Sequence, residues 1–70
     1  MHKVRSEVTG SVWKVEVAVG QRVAEGDTLL IVESMKMEIT MSATCDGIVH
    51  KLLCVEGQAV SAGQALVLLN

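Results

Sequence analysis

Two stretches decide how this chain folds: Gly20-Gln21-Arg22-Val23-Ala24-Glu25-Gly26-Asp27-Thr28-Leu29 and Gly57-Gln58-Ala59-Val60-Ser61-Ala62-Gly63-Gln64-Ala65-Leu66. They carry Gly, Gln, Val, Gly and Leu at the same places, at an offset of 37. Followed outward, the same offset pairs Gly10 with Gly47, so that all 6 glycines match, and then Val12 with Val49 and Lys14 with Lys51. Conservative partners fill in: Val15 with Leu52, Leu30 with Val67, Ile31 with Leu68 and Val32 with Leu69. The repeats run over 4–33 and 41–70, joined by 34–40. Two copies are too few for a solenoid. They predict one domain over 1–70 with approximate two-fold symmetry, each copy burying the apolar face of the other.

Each copy reads as β structure. Val, Ile and Leu dominate, and glycine turns interrupt every window of helical length. Val15, Val17 and Val19 alternate with Lys14, Glu16 and Ala18, the period of a strand. Val49 to Cys54 gives a mixed pattern that predicts burial on both sides. The paired glycines are read as turn positions needing positive φ. Several short strands divided by such turns indicate a small sandwich or barrel.

Composition narrows the function. Seventy residues with 50% apolar content and one aromatic, Trp13, require an aliphatic core. A chain this short buries only about 60% of the surface its unfolded form exposes. No apolar run approaches the length of a membrane span, and the first residues lack a signal-peptide core. A cytosolic setting and no membrane partner are expected. A formal net charge of −2 with interspersed signs argues against nucleic acid. His2, His50, Cys45 and Cys54 do not complete a zinc spacing, and the cysteines read as half-buried strand residues. No metal is expected.

The joint is the one segment the copies do not share. Around it the chain reads Val32-Glu33-Ser34-Met35-Lys36-Met37-Glu38-Ile39, a cation between two methionines between two glutamates. Either strands enter over Leu29–Ser34 and leave over Met37–Ala43, with Lys36 at a hairpin tip, or one strand runs through with the methionines on one face and Lys36 on the other. The plain reading is a solvated turn lysine beside gap-filling methionines. The central, unrepeated position favours display of a single reactive group. A lone exposed lysine lacks the desolvation that makes a base or Schiff-base nucleophile, and no Ser/His/Asp or Cys/His set accompanies it, so no catalytic residues are expected. An exposed amine is instead a good acceptor for an activated carboxyl group.

Met35-Lys36-Met37 resembles the attachment motif of biotinyl domains. The frame agrees: Gly20-Gln21-x-Val23-x-x-Gly26-Asp27-x-Leu29 before it, Gly47-Ile48-Val49 and Gly57-Gln58-x-Val60-x-x-Gly63 after it. The resemblance covers nearly the whole chain and is strongest to the small free-standing biotin/lipoyl attachment proteins of bacteria. It implies a flattened β-barrel, or barrel-sandwich hybrid, of two four-stranded sheets with pseudo-two-fold symmetry. It implies covalent biotin on Lys36, placed by a biotin protein ligase through a biotinyl-adenylate. Met35 and Met37 would be read by the ligase, with Glu33, Ser34 and Glu38 flanking. The domain would then be a non-catalytic carrier between a biotin carboxylase and a carboxyltransferase, with an acyl-CoA the usual acceptor. Ser34 departs from the alanine many biotinyl domains have there, and the chain has no room for the thumb insertion of some carriers. Lipoyl domains share the fold, but their lysine often follows an acidic residue; lipoate is the lesser alternative. An unmodified interaction module of the same fold is the alternative of a different class.

Overall fold

The computed structural model describes residues 2–70, which form β1 (His2–Arg5), β2 (Gly10–Val15), β3 (Arg22–Val23), β4 (Thr28–Ser34), β5 (Met37–Ser42), β6 (Gly47–Leu52), β7 (Ala59–Val60) and β8 (Ala65–Leu69). No helix occurs among them. Two antiparallel four-stranded sheets, ordered β1-β8-β6-β3 and β5-β4-β2-β7, enclose the core. The offset of 37 maps one order onto the other. Each sheet takes its two central strands from one copy and both edges from the other. The copies therefore interlace, rather than stacking face to face as two separate halves.

The four repeated Gly-Gln or Gly-Asp pairs build four equivalent turns. The glycine takes φ near +90°, from 88° to 92° at Gly20, Gly26, Gly57 and Gly63, a region closed to most side chains. The next residue locks the turn twice. Gln21 donates its backbone N–H to the Ala18 carbonyl and accepts the Ala18 N–H on Oε1; Asp27 with Ala24, Gln58 with Val55 and Gln64 with Ser61 do the same. Gly10 and Gly47 correct the reading of all six as turn positions, since both begin strands. A Cβ at Gly10 would lie 2.2 Å from the Glu33 carbonyl oxygen, and one at Gly47 2.9 Å from that of Asn70. Their requirement is close approach of backbone.

Matched bulges shape the core. Register shifts leave Trp13 and His50 as extra residues in β2 and β6, and Leu29 and Leu66 as extra residues in β4 and β8. An extra residue breaks the strict two-residue alternation. Leu29 and Leu30 are thus both fully buried, as are Leu66 and Val67. Trp13 and Lys14, like His50 and Lys51, are consecutive and exposed. The expected burial on both sides over Val49–Cys54 is corrected accordingly: a bulged strand with a solvated face runs to Leu52, and Leu53 and Cys54 lie beyond it. The alternation read through Val19 also stops early, because β2 ends at Val15 and Val19 is exposed. Cys45 is half-buried in a bend and Cys54 buried just past β6, so neither is a strand residue. Burial pushes the Cys54 thiol pKa up.

Buried residues pair across the offset: Val4 with Met41, Ser6 with Ala43, Val12 with Val49, Val17 with Cys54, Val23 with Val60, Leu29 with Leu66, Leu30 with Val67, and Val32 with Leu69. The core is aliphatic, with Trp13 left at the surface. Charges interspersed along the chain are not interspersed in space. Lys3, Arg5, Arg22 and Lys51 all lie on β1-β8-β6-β3, whose strands carry no carboxylate.

Candidate functional site

β4 and β5 pair without interruption from Leu30↔Met41 to Ser34↔Met37, leaving only Met35 and Lys36 to turn the chain. Lys36 is therefore at a hairpin tip, and the run-through strand is excluded. Both turn residues have positive φ, 52° at Met35 and 66° at Lys36. A two-residue turn of this hand matches the twist of the strands and normally takes Asn-Gly. Here two long side chains occupy it, at a cost of about 1–2 kcal/mol each. Such strain persists only where the surroundings over-determine it, and it concentrates at functional sites.

The surroundings can be named. Ser34 donates its hydroxyl to the Thr9 carbonyl at 2.8 Å, tying the hairpin to the loop after β1. Thr9 accepts the Ala62 N–H on its own hydroxyl at 3.1 Å, which links that loop to the β7–β8 turn. Gly10 lets β2 pass under the Glu33 carbonyl. Thr9 and Gly10 were not among the expected site residues. Their signal was available in the repeat: Thr9 matches Asp46, whose carboxylate accepts the Glu25 N–H at the equivalent place.

Met35 is 93% exposed and Met37 63%. They are not gap fillers. Glu33 and Glu38 are exposed cross-strand partners one pair below Ser34↔Met37, so two carboxylates face each other on the strands that carry the tip. Among the described residues the only ion pair within 4.0 Å is Lys14–Glu16, at 3.5 Å, and Lys36 is exposed and unpaired. A cavity of about 300 Å³ lies around β3, lined by Arg22, Val23, Ala24, Asp27 and Asp46, and contains none of the tip residues. No grouping of metal ligands exists among the described residues. No described helix is long and apolar enough to cross a membrane. The tip thus offers a primary amine held away from the body, flanked by two apolar side chains, with nothing around it to exclude water. It can accept a group; it cannot by itself activate one.

Known proteins resemble the chain along nearly its whole length. The biotin/lipoyl family, described as biotin-requiring enzyme, matches residues 3–69. A "biotinylated protein TB7.3 homolog" from Mycobacterium leprae (strain TN) is 39% identical over 67 residues, covering 96% of this chain and 94% of that protein. A "biotin/lipoyl attachment protein" from Bacillus subtilis (strain 168) is 39% identical over 67 residues, covering 96% and 92%. Among solved structures, the urea carboxylase of Kluyveromyces lactis superposes with a TM-score of 0.94 at 39% identity, over 99% of this chain and 6% of that one.

Proposed function

The chain belongs to the biotin/lipoyl attachment family of biotin-requiring enzymes, and on that premise we propose that Lys36 is its single attachment point for biotin. The observation that carries this is the tip itself: an unpaired amine in a strained two-residue turn, displayed by an uninterrupted ladder. The tip fits the group, because covalent attachment needs a reachable amine and no pocket. The Lys36 amine attacks the carboxyl carbon of the biotinyl-adenylate that a ligase supplies; the bond from that carbon to the phosphate oxygen breaks, AMP leaves, and the nitrogen gives up a proton as the amide forms. Met35 and Met37 supply the apolar contacts by which the ligase selects this lysine over the chain's other lysines. Ser34 and Thr9 keep the tip at a fixed height above the body. Glu33 and Glu38 repel a misplaced acidic surface and keep the tip solvated.

Biotin, when attached, supplies a ring that takes up and releases a carboxyl group. In this reading the chain is the non-catalytic carrier of a biotin-dependent carboxylase, visiting a biotin carboxylase and a carboxyltransferase in the cytosol, with an acyl-CoA as acceptor. The whole of 1–70 serves as one attachment domain. Intact mass after co-expression with a biotin ligase tests the attachment. The expected result is one biotinyl increment on the native chain and none on Lys36→Ala. An increment that survives Lys36→Ala would overturn the assignment. A lipoyl increment on material from the source organism would favour the second reading, which the name of the Bacillus subtilis relative keeps in view.

A further inference from the structure

The fold sorts the charges of this acidic chain onto different sheets. Lys3, Arg5, Arg22 and Lys51 account for four of its 6 Lys and Arg residues, and all lie on strands β1, β3 and β6 of one sheet. Lys3, Arg5 and Arg22 are exposed beside the buried Val4 and Val23, and the bulge at His50 turns Lys51 outward opposite Leu68, so the cations share the outer face. Lys3 and Lys51 both pair with Leu68, one from each side, which sets them two strand spacings apart, about 10 Å. Arg22 is opposite Ile48, itself 40% exposed. The face is a half-buried apolar centre between cations. None of the four forms an ion pair within 4.0 Å among the described residues. Arg5 alone is tied down, donating to the Gly63 carbonyl. On the other sheet, the repeat partners of Lys3 and Leu68 are Thr40 and Ile31, and the strands carry Glu33 and Glu38 beside Lys14.

We propose that the outer face of β1-β8-β6-β3 docks on an acidic protein surface of the biotin carboxylase that acts on the group carried at Lys36. This rests on the reading of Lys36 as the attachment point. The position supports it. The face lies on the sheet that does not bear the tip. His2, where β1 begins, bonds Thr44 beyond the far end of β5; Arg5, where β1 ends, adjoins the loop to which Ser34 is tied. A partner can therefore hold the body along this face without packing on Met35 and Met37, leaving the group on the long Lys36 side chain free to enter its site. A ligase, by contrast, must cover Met35-Lys36-Met37. Charge complementarity selects the partner class. Asp27 and Asp46 line the cavity beside Arg22 and bound the patch at that edge. A long polyanion would run past its cations onto carboxylates, whereas a compact acidic surface would not. No aromatic side chain stands on this face to stack a base.

The symmetry supplies the control, because Lys14 is the repeat partner of Lys51 on the opposite sheet. Purified biotin carboxylase from the source organism is assayed with the biotinylated chain, ATP and bicarbonate, varying carrier and salt. Reversing the face with Lys3→Glu/Lys51→Glu should raise KM for the carrier about tenfold, leave kcat within about twofold, and flatten the salt dependence. Lys14→Glu should leave KM within about twofold. The paired variant Lys3→Gln/Lys51→Gln, matched in melting temperature to the native chain, replaces the reversal if that one misfolds. An unchanged KM, or an equal rise with Lys14→Glu, would overturn the proposal. So would tighter binding of the native chain to single-stranded RNA or phosphatidylglycerol vesicles than to the carboxylase. Intact mass of each carrier tests the attachment separately. Calorimetric binding of the carboxylase to the Lys36→Ala chain reports on the face even where no biotin is attached.

Discussion

The β4–β5 pair and the β1–β8 pair are the same construction used twice. Leu30↔Met41, Ile31↔Thr40 and Val32↔Ile39 in one correspond to Val67↔Val4, Leu68↔Lys3 and Leu69↔His2 in the other. Each has a buried leucine bulge, Leu29 or Leu66, and each is crossed at its end by a glycine, Gly10 or Gly47, against a carbonyl 23 residues on. They differ at the end. One is closed by Met35-Lys36 in a strained turn; the other carries the first and last described residues. The difference teaches that the scaffold is built twice while the strained closure, and with it the proposed attachment point, occurs once. What makes the tip special is its closure, not its support.

The shared support is tested hardest in the core. Leu29→Ala and Leu66→Ala each empty a fully buried bulge position, and each should cost about 2–5 kcal/mol in denaturant unfolding. If the two ends are equivalent supports, the two losses should agree within about 1 kcal/mol. A larger gap would mean that the interlaced copies do not share the load evenly. The close-approach glycines come next. Gly10→Ala would bring its methyl to 2.2 Å from the Glu33 carbonyl oxygen, while Gly47→Ala would meet that of Asn70 at 2.9 Å, a smaller overlap. The expected loss is about 1–3 kcal/mol for Gly10→Ala and less for Gly47→Ala, by the same measurement. Gly10→Ala should also slow biotin acceptance, since it displaces the base of the tip. Equal effects on stability would remove the argument that the closer approach at Gly10 is the more demanding one.

Much of this was legible in the residues alone. The glycine pairs announced the repeat because a left-handed turn with a locking Gln or Asp needs a fixed local pair, and local requirements survive in one dimension. The tip was legible for the same reason: Lys36 sits midway between two strand-like runs. The bulges at Trp13 and His50 were not, because an extra residue is defined only against a partner strand. That is why Val49–Cys54 suggested burial on both sides. Gly10 and Gly47 were misread because what excludes a side chain there is a carbonyl distant in sequence. The basic face was hidden for a topological reason. Its cations come from three strands, and interlaced edges bring them together although acidic residues separate them along the chain. Ser34 was recognised as a flank, but its bond to Thr9 depends on a loop that only the fold places nearby.

Substitutions in the turn separate closure from support more finely. Met35→Asn puts a residue that tolerates positive φ where the backbone already has it. It should stabilise the domain by up to about 1 kcal/mol and slow ligase-dependent modification. Met37→Ala, on an exposed side chain, should leave stability within about 0.5 kcal/mol while slowing modification likewise. Thermal melts paired with ligase kinetics check both. A loss of about 2 kcal/mol or more from Met37→Ala would make the methionine a packing residue and remove it from the recognition surface.

The smallest effect bears on the closure alone. Glu33 and Glu38 face each other across the ladder, and like charges directly opposite are destabilising by a few tenths of a kcal/mol or somewhat more. Lys36 is the cation nearest that pair along the hairpin, and its charge should offset part of the repulsion. Converting its amine to an amide takes the formal net charge from −2 to −3 and removes the offset. The modified chain should therefore melt slightly below the unmodified one at low salt, and the gap should close as salt screens the carboxylates. Glu38→Gln should abolish the gap at every ionic strength. The β1–β8 pair has no such carboxylates, so Lys3→Gln, which removes a cation at the other end, should show no salt-dependent loss of this kind. A gap that persists in Glu38→Gln would locate the cost of modification in the strained turn rather than in the charges beside it.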